Sequence, residues 1–212
     1  YGGITSMTQK ERQERSKREI LVAAMEEFGT HDYEVVTMDS ICGNHGISKG
    51  MMYHYYPNKD ALFLLCVQVT FQDLRDHIRS SVEQLEEQGG FEAIKAYFLL
   101  REQYFQEHPM EKNVFENALL RPPRHLREQI WALRAPVREL NHQFIWRVVG
   151  RMPLREGLRQ EAVMRYLDSV EYSLPHALRQ YSAGGDLTDM HTLMEAVGEL
   201  LDLVLYGVIR QE

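Results

Sequence analysis

The residues best suited to chemistry lie in one short stretch, between Thr37 and Lys59. From Ser48 to Tyr55 the chain carries a cation (Lys49), a position with no side chain (Gly50), a thioether (Met51) and three polar rings (Tyr53, His54, Tyr55). Gathered on one short helix, these types suit the reading of duplex DNA. Lys49, Met51 and His54 fit base edges, Met51 fits a thymine methyl, and Gly50 fits a point where backbone approaches the groove closely. Tyr53 and Tyr55 suit phosphate oxygens, which set register and carry no sequence information. Thr37 and Lys59 fall at the starts of the neighbouring helices, where free N–H groups and the helix dipole favour phosphate. The same spacing also fits a packed helical hairpin whose tyrosines are core.

A reader of this kind must be held by its neighbours, and the stretch is dense in start and stop signals. Thr37 predicts a helix cap, with Asp39 in the first turn. Ile41 and Cys42 then point inward, and Gly46 ends the helix. Ser48 predicts the next cap, with Ile47 and Met52 as a hydrophobic staple. Tyr56 before Pro57 ends that helix, and Asn58 caps a longer one. Two short helices about a tight glycine turn are a helix-turn-helix. Upstream, Ile20, Leu21, Ala24, Met25 and Phe28 form the stripe of a helix predicted over 10–29, stopped at Gly29. Downstream, helices are predicted over 58–87, ending at Gly89-Gly90, over 91–107, and over 111–121, ending at Pro122-Pro123. Further helices are predicted over 124–150 with a kink at Pro136, over 155–182 interrupted at Pro175, and over 187–210. β-branched alternation is nearly absent, so the predicted fold class is all-α.

Composition narrows the partners. The chain has 212 residues, 44% hydrophobic and 26% charged, with a net charge of −7. That excludes a protein coated in basic residues but leaves room for a local patch. Residues 9–18 supply one: Lys10, Arg12, Arg15, Lys17 and Arg18 against Glu11 and Glu14. Cys42 and Cys66 are too few for a disulfide framework and suit the cytoplasm. No apolar run approaches the ~20 residues of a membrane span, and the opening residues lack the apolar stretch of a signal peptide. The first nine residues are expected to be disordered or foreign to the native chain, with Met7 as its start. The nine histidines are scattered, and Cys42-x-x-His45 has no second ligand pair. No nucleophile elbow, phosphate loop or dinucleotide fingerprint occurs. No catalytic residue, metal or cofactor is therefore assigned.

The run from Thr37 to Leu62, TMDSICGNHGISKGMMYHYYPNKDAL, resembles the TetR family of bacterial transcriptional regulators. Thr37, Ile41, Gly46, Ile47, Ser48, Gly50, Tyr53, Tyr55, Asn58, Lys59, Asp60 and Leu62 carry the likeness. Cys42 and His45 stand where alanines are usual, Met52 for a leucine and Tyr56 for a phenylalanine. The stripe from Ile20 to Phe28 is similar to the family's first helix. The resemblance implies a three-helix DNA-binding domain over residues 1–57 and a helical ligand-binding and dimerisation domain over 58–212. It implies a homodimer on a palindromic operator, acting as a repressor released by a small molecule. The alternatives are a helical protein–protein interaction module and a ligand-binding helical enzyme.

Two further sets of residues follow from the long helices. Aromatic and polar side chains are dense in the middle of the chain, and Tyr97, Arg101, Tyr104, Phe115, Asn117, Trp131, Asn141 and Phe144 are the candidate ligand contacts. Most aromatic stripes at helical spacing are plain core, the competing reading for each of them. Leu167, Val170, Leu174 and Leu178 on one late helix, and Val197, Leu201, Val204 and Leu205 on the last, form stripes able to close a four-helix bundle between two chains. Either stripe could equally face its own chain's core.

Overall fold

Helix α1 (Gln9–Thr30) begins where Thr8 caps it. The Thr8 hydroxyl accepts from the Glu11 amide at 3.2 Å, and the Glu11 carboxylate accepts the Thr8 N–H at 2.7 Å. This reciprocal pair satisfies amides a helix start leaves open. The computed structural model describes residues 7–169 together with 191, 192, 195, 198, 199, 202 and 203. Gln9, the last of the residues expected to be disordered or foreign to the native chain, is the first residue of α1. Tyr1 to Ser6 lie outside the described residues.

Three short-range signals then fix α2 (Met38–His45), α3 (Lys49–Tyr55) and the start of α4 (Lys59–Gln88). Thr37, Ser48 and Asn58 each turn a side-chain oxygen to an amide three residues on, at 2.9, 3.2 and 2.9 Å. Gly46 closes α2 at φ 65°, the left-handed region in which a side chain would strain the turn. The apolar faces of these helices then meet: Ile20, Ala24 and Phe28 from α1, Ile41 from α2, Met52 from α3, and Leu62, Phe63 and Cys66 from α4 are all fully buried. Helix α4 is 30 residues long, about 45 Å. Its first half packs on α1, and it also packs against α5 (Gly90–Glu107), α6 (Pro109–Leu119), α7 (Arg127–Leu133) and α8 (Ala135–Val149).

Prolines account for the main departures from the predicted elements. The single helix expected over 124–150 is a 3₁₀ turn at Arg124–Leu126 followed by α7 and α8. Pro136 does not kink a continuous helix. Its ring would clash with the Ala132 carbonyl, so the chain resets at Arg134 and Pro136 enters the first turn of α8, where its missing N–H has no intrahelical partner to lose. Pro109 likewise opens α6, two residues before the predicted start. The helix expected from 155 begins at 160, after a turn at Gly157 with φ 83°. Pro175 and most of the 187–210 segment lie outside the described residues. Asp202, which is described, pairs with Lys95 of α5 at 2.9 Å.

Besides α4, a seam between α1 and α6 joins the N-terminal helices to the rest. A Cβ placed on Gly29 would lie 2.7 Å from the Met110 Cβ and 2.9 Å from its Cα, so α1 and α6 touch at a distance only glycine allows. The Asn113 amide donates to the Gly29 carbonyl at 2.5 Å, and Arg121 pairs with Asp32 at 3.3 Å. Among the described residues, no helix is long and apolar enough to cross a membrane.

Candidate nucleic-acid interface

The helix-turn-helix is held from beneath and open above. Ile47 and Met52 are buried together, the predicted staple, and pin α3 to the core. The opposite side of α3 is free. Lys49, Gly50, Tyr53 and His54 are exposed, as are the capping residues Thr37 and Ser48. The His54 ring meets Tyr55 edge-on at 4.8 Å. Met51 and Tyr55 are half-buried against the core, and Met51 lines a groove with Val22, Ile47 and Gly46. A Cβ added at Gly50 would meet nothing within 4 Å, so nothing in the chain itself requires glycine there.

Two lysines of this surface have partners that spacing did not reveal. The Lys49 ammonium lies 2.8 Å from the Asp39 carboxylate, across the angle between α2 and α3, and Asp39 holds the Lys49 pKa above the ordinary lysine range. Lys59 is turned toward the α1–α2 loop. It donates to the Tyr33 carbonyl at 2.9 Å and the Val36 carbonyl at 3.0 Å, and its ammonium stands 4.2 Å from the centre of the Tyr33 ring. Two of its three hydrogens are committed to that loop, leaving one.

Beneath the surface lie residues that the sequence reading missed. Glu27 is buried on α1, where its carboxylate accepts from the Asn44 amide at 2.7 Å and meets His45 Nε2 at 3.2 Å. Burial acts to raise the Glu27 pKa, but Asn44 and His45 together hold it below the ordinary range. The usable signal was a glutamate at a core position of the α1 stripe, with a histidine in place of a small residue 18 positions on. Tyr33 donates its hydroxyl to Asp60, which also meets His125 Nε2 at 3.0 Å. Burial and then Asp60 push the Tyr33 phenol well above its usual range.

The candidate ligand residues separate into groups. Tyr97, Arg101, Asn141 and Phe144 converge between α5 and α8: Tyr97 stacks on Phe144 at 4.0 Å, and its hydroxyl donates to Asn141 at 2.9 Å. Arg101 donates to the same Asn141 oxygen at 2.6 Å, and all four are buried. Tyr104 stacks on His108, while Phe115 packs against Phe105 and Phe71. Asn117 reaches toward the His31 carbonyl at the α1–α6 seam. Trp131 lies apart, in a cleft with Arg138, His142 and Asp168, its ring under the Arg138 guanidinium at 4.4 Å. Of the candidate dimer residues, Leu167 is buried in its own chain's core. Val170, Leu174, Leu178, Val197, Leu201, Val204 and Leu205 lie outside the described residues.

Comparison with known proteins places this geometry. The family model described as bacterial regulatory proteins, tetR family, matches residues 20–66, from the middle of α1 into α4. A transcriptional regulator from Cytophaga hutchinsonii superposes with a TM-score of 0.60 at 16% identity, covering 92% of this chain and 98% of that one. A putative TetR-family regulator from Mesorhizobium loti gives 0.58 at 16% identity, covering 94% and 99%. The SmeT–triclosan complex gives 0.57 at 18% identity, covering 93% of each chain. The likeness in fold extends over nearly the whole chain, and the likeness in sequence is concentrated on the helix-turn-helix. Residues 20–66 thus match the model of the tetR family of bacterial regulatory proteins, and the chain as a whole shares the fold of solved transcriptional regulators.

Proposed function

We propose that this protein is a sequence-specific regulator of transcription whose α3 lies in the DNA major groove. Lys49, Met51 and His54 face base edges, while Thr37, Ser48, Tyr53, Tyr55 and the remaining hydrogen of Lys59 face phosphates. One observation carries this reading. Lys49, Tyr53 and His54 stand on the free side of α3, with Gly50 leaving room among them, while Ile47 and Met52 hold the other side in the core.

The protein acts as a homodimer through the helices beyond residue 155, and residues 58–212 form the effector and dimerisation domain. Two reading helices about 34–36 Å apart then match successive turns of a palindromic operator. A small molecule bound in the helical body favours a different spacing and releases the operator. It can do so only by as much as its affinity differs between the two arrangements. The solved complex of SmeT with triclosan supports a small-molecule effector. Repeated selection from a randomised duplex library tests the DNA reading. It is expected to enrich an inverted repeat, with affinity falling steeply as salt rises. No enrichment would overturn it. Light scattering and native mass spectrometry of the purified protein test the dimer and any retained ligand.

A further inference from the structure

We propose that Asp39 and Lys49 together read one G·C base pair in each operator half-site, Asp39 being a specificity-determining residue in its own right. The inference rests on the DNA-binding reading above. The two side chains form an ion pair at 2.8 Å, yet both are about two-thirds exposed, at 65% and 64%. They come from different helices, Asp39 from the first turn of α2 and Lys49 from the first residue of α3, and they meet on the free side of the helix-turn-helix.

An exposed ion pair of this kind contributes little to stability. A carboxylate beside a surface that must meet phosphates also opposes binding to any sequence. That cost is explained if the pair is matched to a base edge. In the major groove a G·C pair presents the guanine N7 and O6 acceptors beside the cytosine N4 donor. The protein presents the complement. The Lys49 ammonium has three hydrogens, of which Asp39 Oδ1 takes one. The other two can reach guanine O6 and N7. Asp39 Oδ2 is free to accept from cytosine N4, which lies about 2.9 Å from guanine O6 in the paired base. The ion pair therefore places a donor and an acceptor side by side, as the edge requires. It also restrains a long, flexible side chain that would otherwise swing to the nearest phosphate. Gly50, with open space around it, leaves the approach beside Lys49 clear.

Library selection with wild type, Asp39→Asn, Lys49→Met and the double variant tests the inference, with thermal melts confirming that each is folded. Wild type is expected to fix a G·C pair at one position per half-site. Asp39→Asn and Lys49→Met should each lower discrimination there on the order of tenfold, and the double variant little further, because the two act as one reader. Asp39→Asn should also bind unrelated duplexes more tightly, with a salt slope steeper by about one as Lys49 is released to a phosphate. An enriched consensus in which Asp39→Asn leaves every position unchanged overturns the pair as a reader while leaving DNA binding intact. Absence of any wild-type consensus overturns the DNA-binding reading and this inference with it.

Discussion

Glu27 of α1 accepts a hydrogen bond from Asn44 of α2 at 2.7 Å, with Glu27 only 6% exposed and Asn44 reaching it from the surface. It fixes the angle between the helix that carries the basic N-terminal residues and the helix that supports α3. Glu27→Ala is expected to destabilise the protein by about 1 kcal/mol, because Asn44 and His45 lose a buried acceptor, although the exposed Asn44 amide can turn to water. The Glu27 pKa is held low in the folded state, so its contribution is present above the unfolded value near 4.5 and is lost as pH falls through the folded value. Urea melts from pH 7 downward should show wild type losing stability through that window and Glu27→Gln losing less. Parallel curves would count against the role.

Lys59→Met is expected to loosen the loop between α1 and α2. Two carbonyls, of Tyr33 and Val36, lose a charged donor, and the Tyr33 ring loses its cation. The melting temperature should fall by several degrees. The salt slope of DNA binding should drop by about one if the third hydrogen meets a phosphate. An unchanged melting temperature would contradict the loop-holding role, and an unchanged slope the phosphate contact.

Gly50→Ala should move two measurements in opposite directions. Alanine favours a helix over glycine by up to about 1 kcal/mol, and the added Cβ meets no atom of the chain. The free protein should melt higher. Operator affinity should fall on the order of tenfold if DNA backbone or bases come close at Gly50. A gain in both would move the reading surface away from this part of α3.

What the sequence made legible was what its chemistry encodes locally. Thr37, Ser48 and Asn58 each satisfy an amide three residues away, and Gly46 adopts a left-handed conformation that few other residues tolerate, so the helix-turn-helix could be drawn without knowing the rest of the fold. The partners of Lys59 lie 23 and 26 residues away, and those of Glu27 lie 17 and 18 away, so spacing along one helix could not disclose them. Pro136 was legible as a disruption but not as a boundary. A kink and a fresh helix start differ only in whether the preceding turn survives. The aromatic residues of the body read as one set in sequence. Their helices point Tyr97 and Phe144 together but send Trp131 to another cleft.

The two cysteines should differ from surface thiols in reactivity. Cys66 is fully buried, and burial pushes its thiol up to about 12; burial first, then Asp39, raises Cys42. Neither should react with a thiol reagent at pH 8 in the native state, and both should react in denaturant. With the folded pKa of Cys66 raised, its contribution to stability is full below the unfolded value near 9 and is lost as pH climbs toward about 12. Cys66→Ala should flatten that alkaline loss. Rapid native labelling of Cys66 would show that the α1–α4 core opens readily.

Gly29→Ala is expected to destabilise the protein by about 1–3 kcal/mol, since the new methyl would sit 2.7 Å from the Met110 Cβ and 2.9 Å from backbone that cannot rotate away. A thermal melt measures the loss, and a melt equal to wild type would mean that α6 yields easily.

The meeting of Gly29 with Met110 has a mechanical meaning. Most helix pairs are separated by interlocking side chains, which can re-rotamer and absorb a small displacement before it reaches the partner. Here main chain rests almost on main chain, and the Asn113 amide bolts the contact. That joint has no cushion. A displacement of α6 is therefore expected to reach α1 directly, with little side-chain slack between them to take it up.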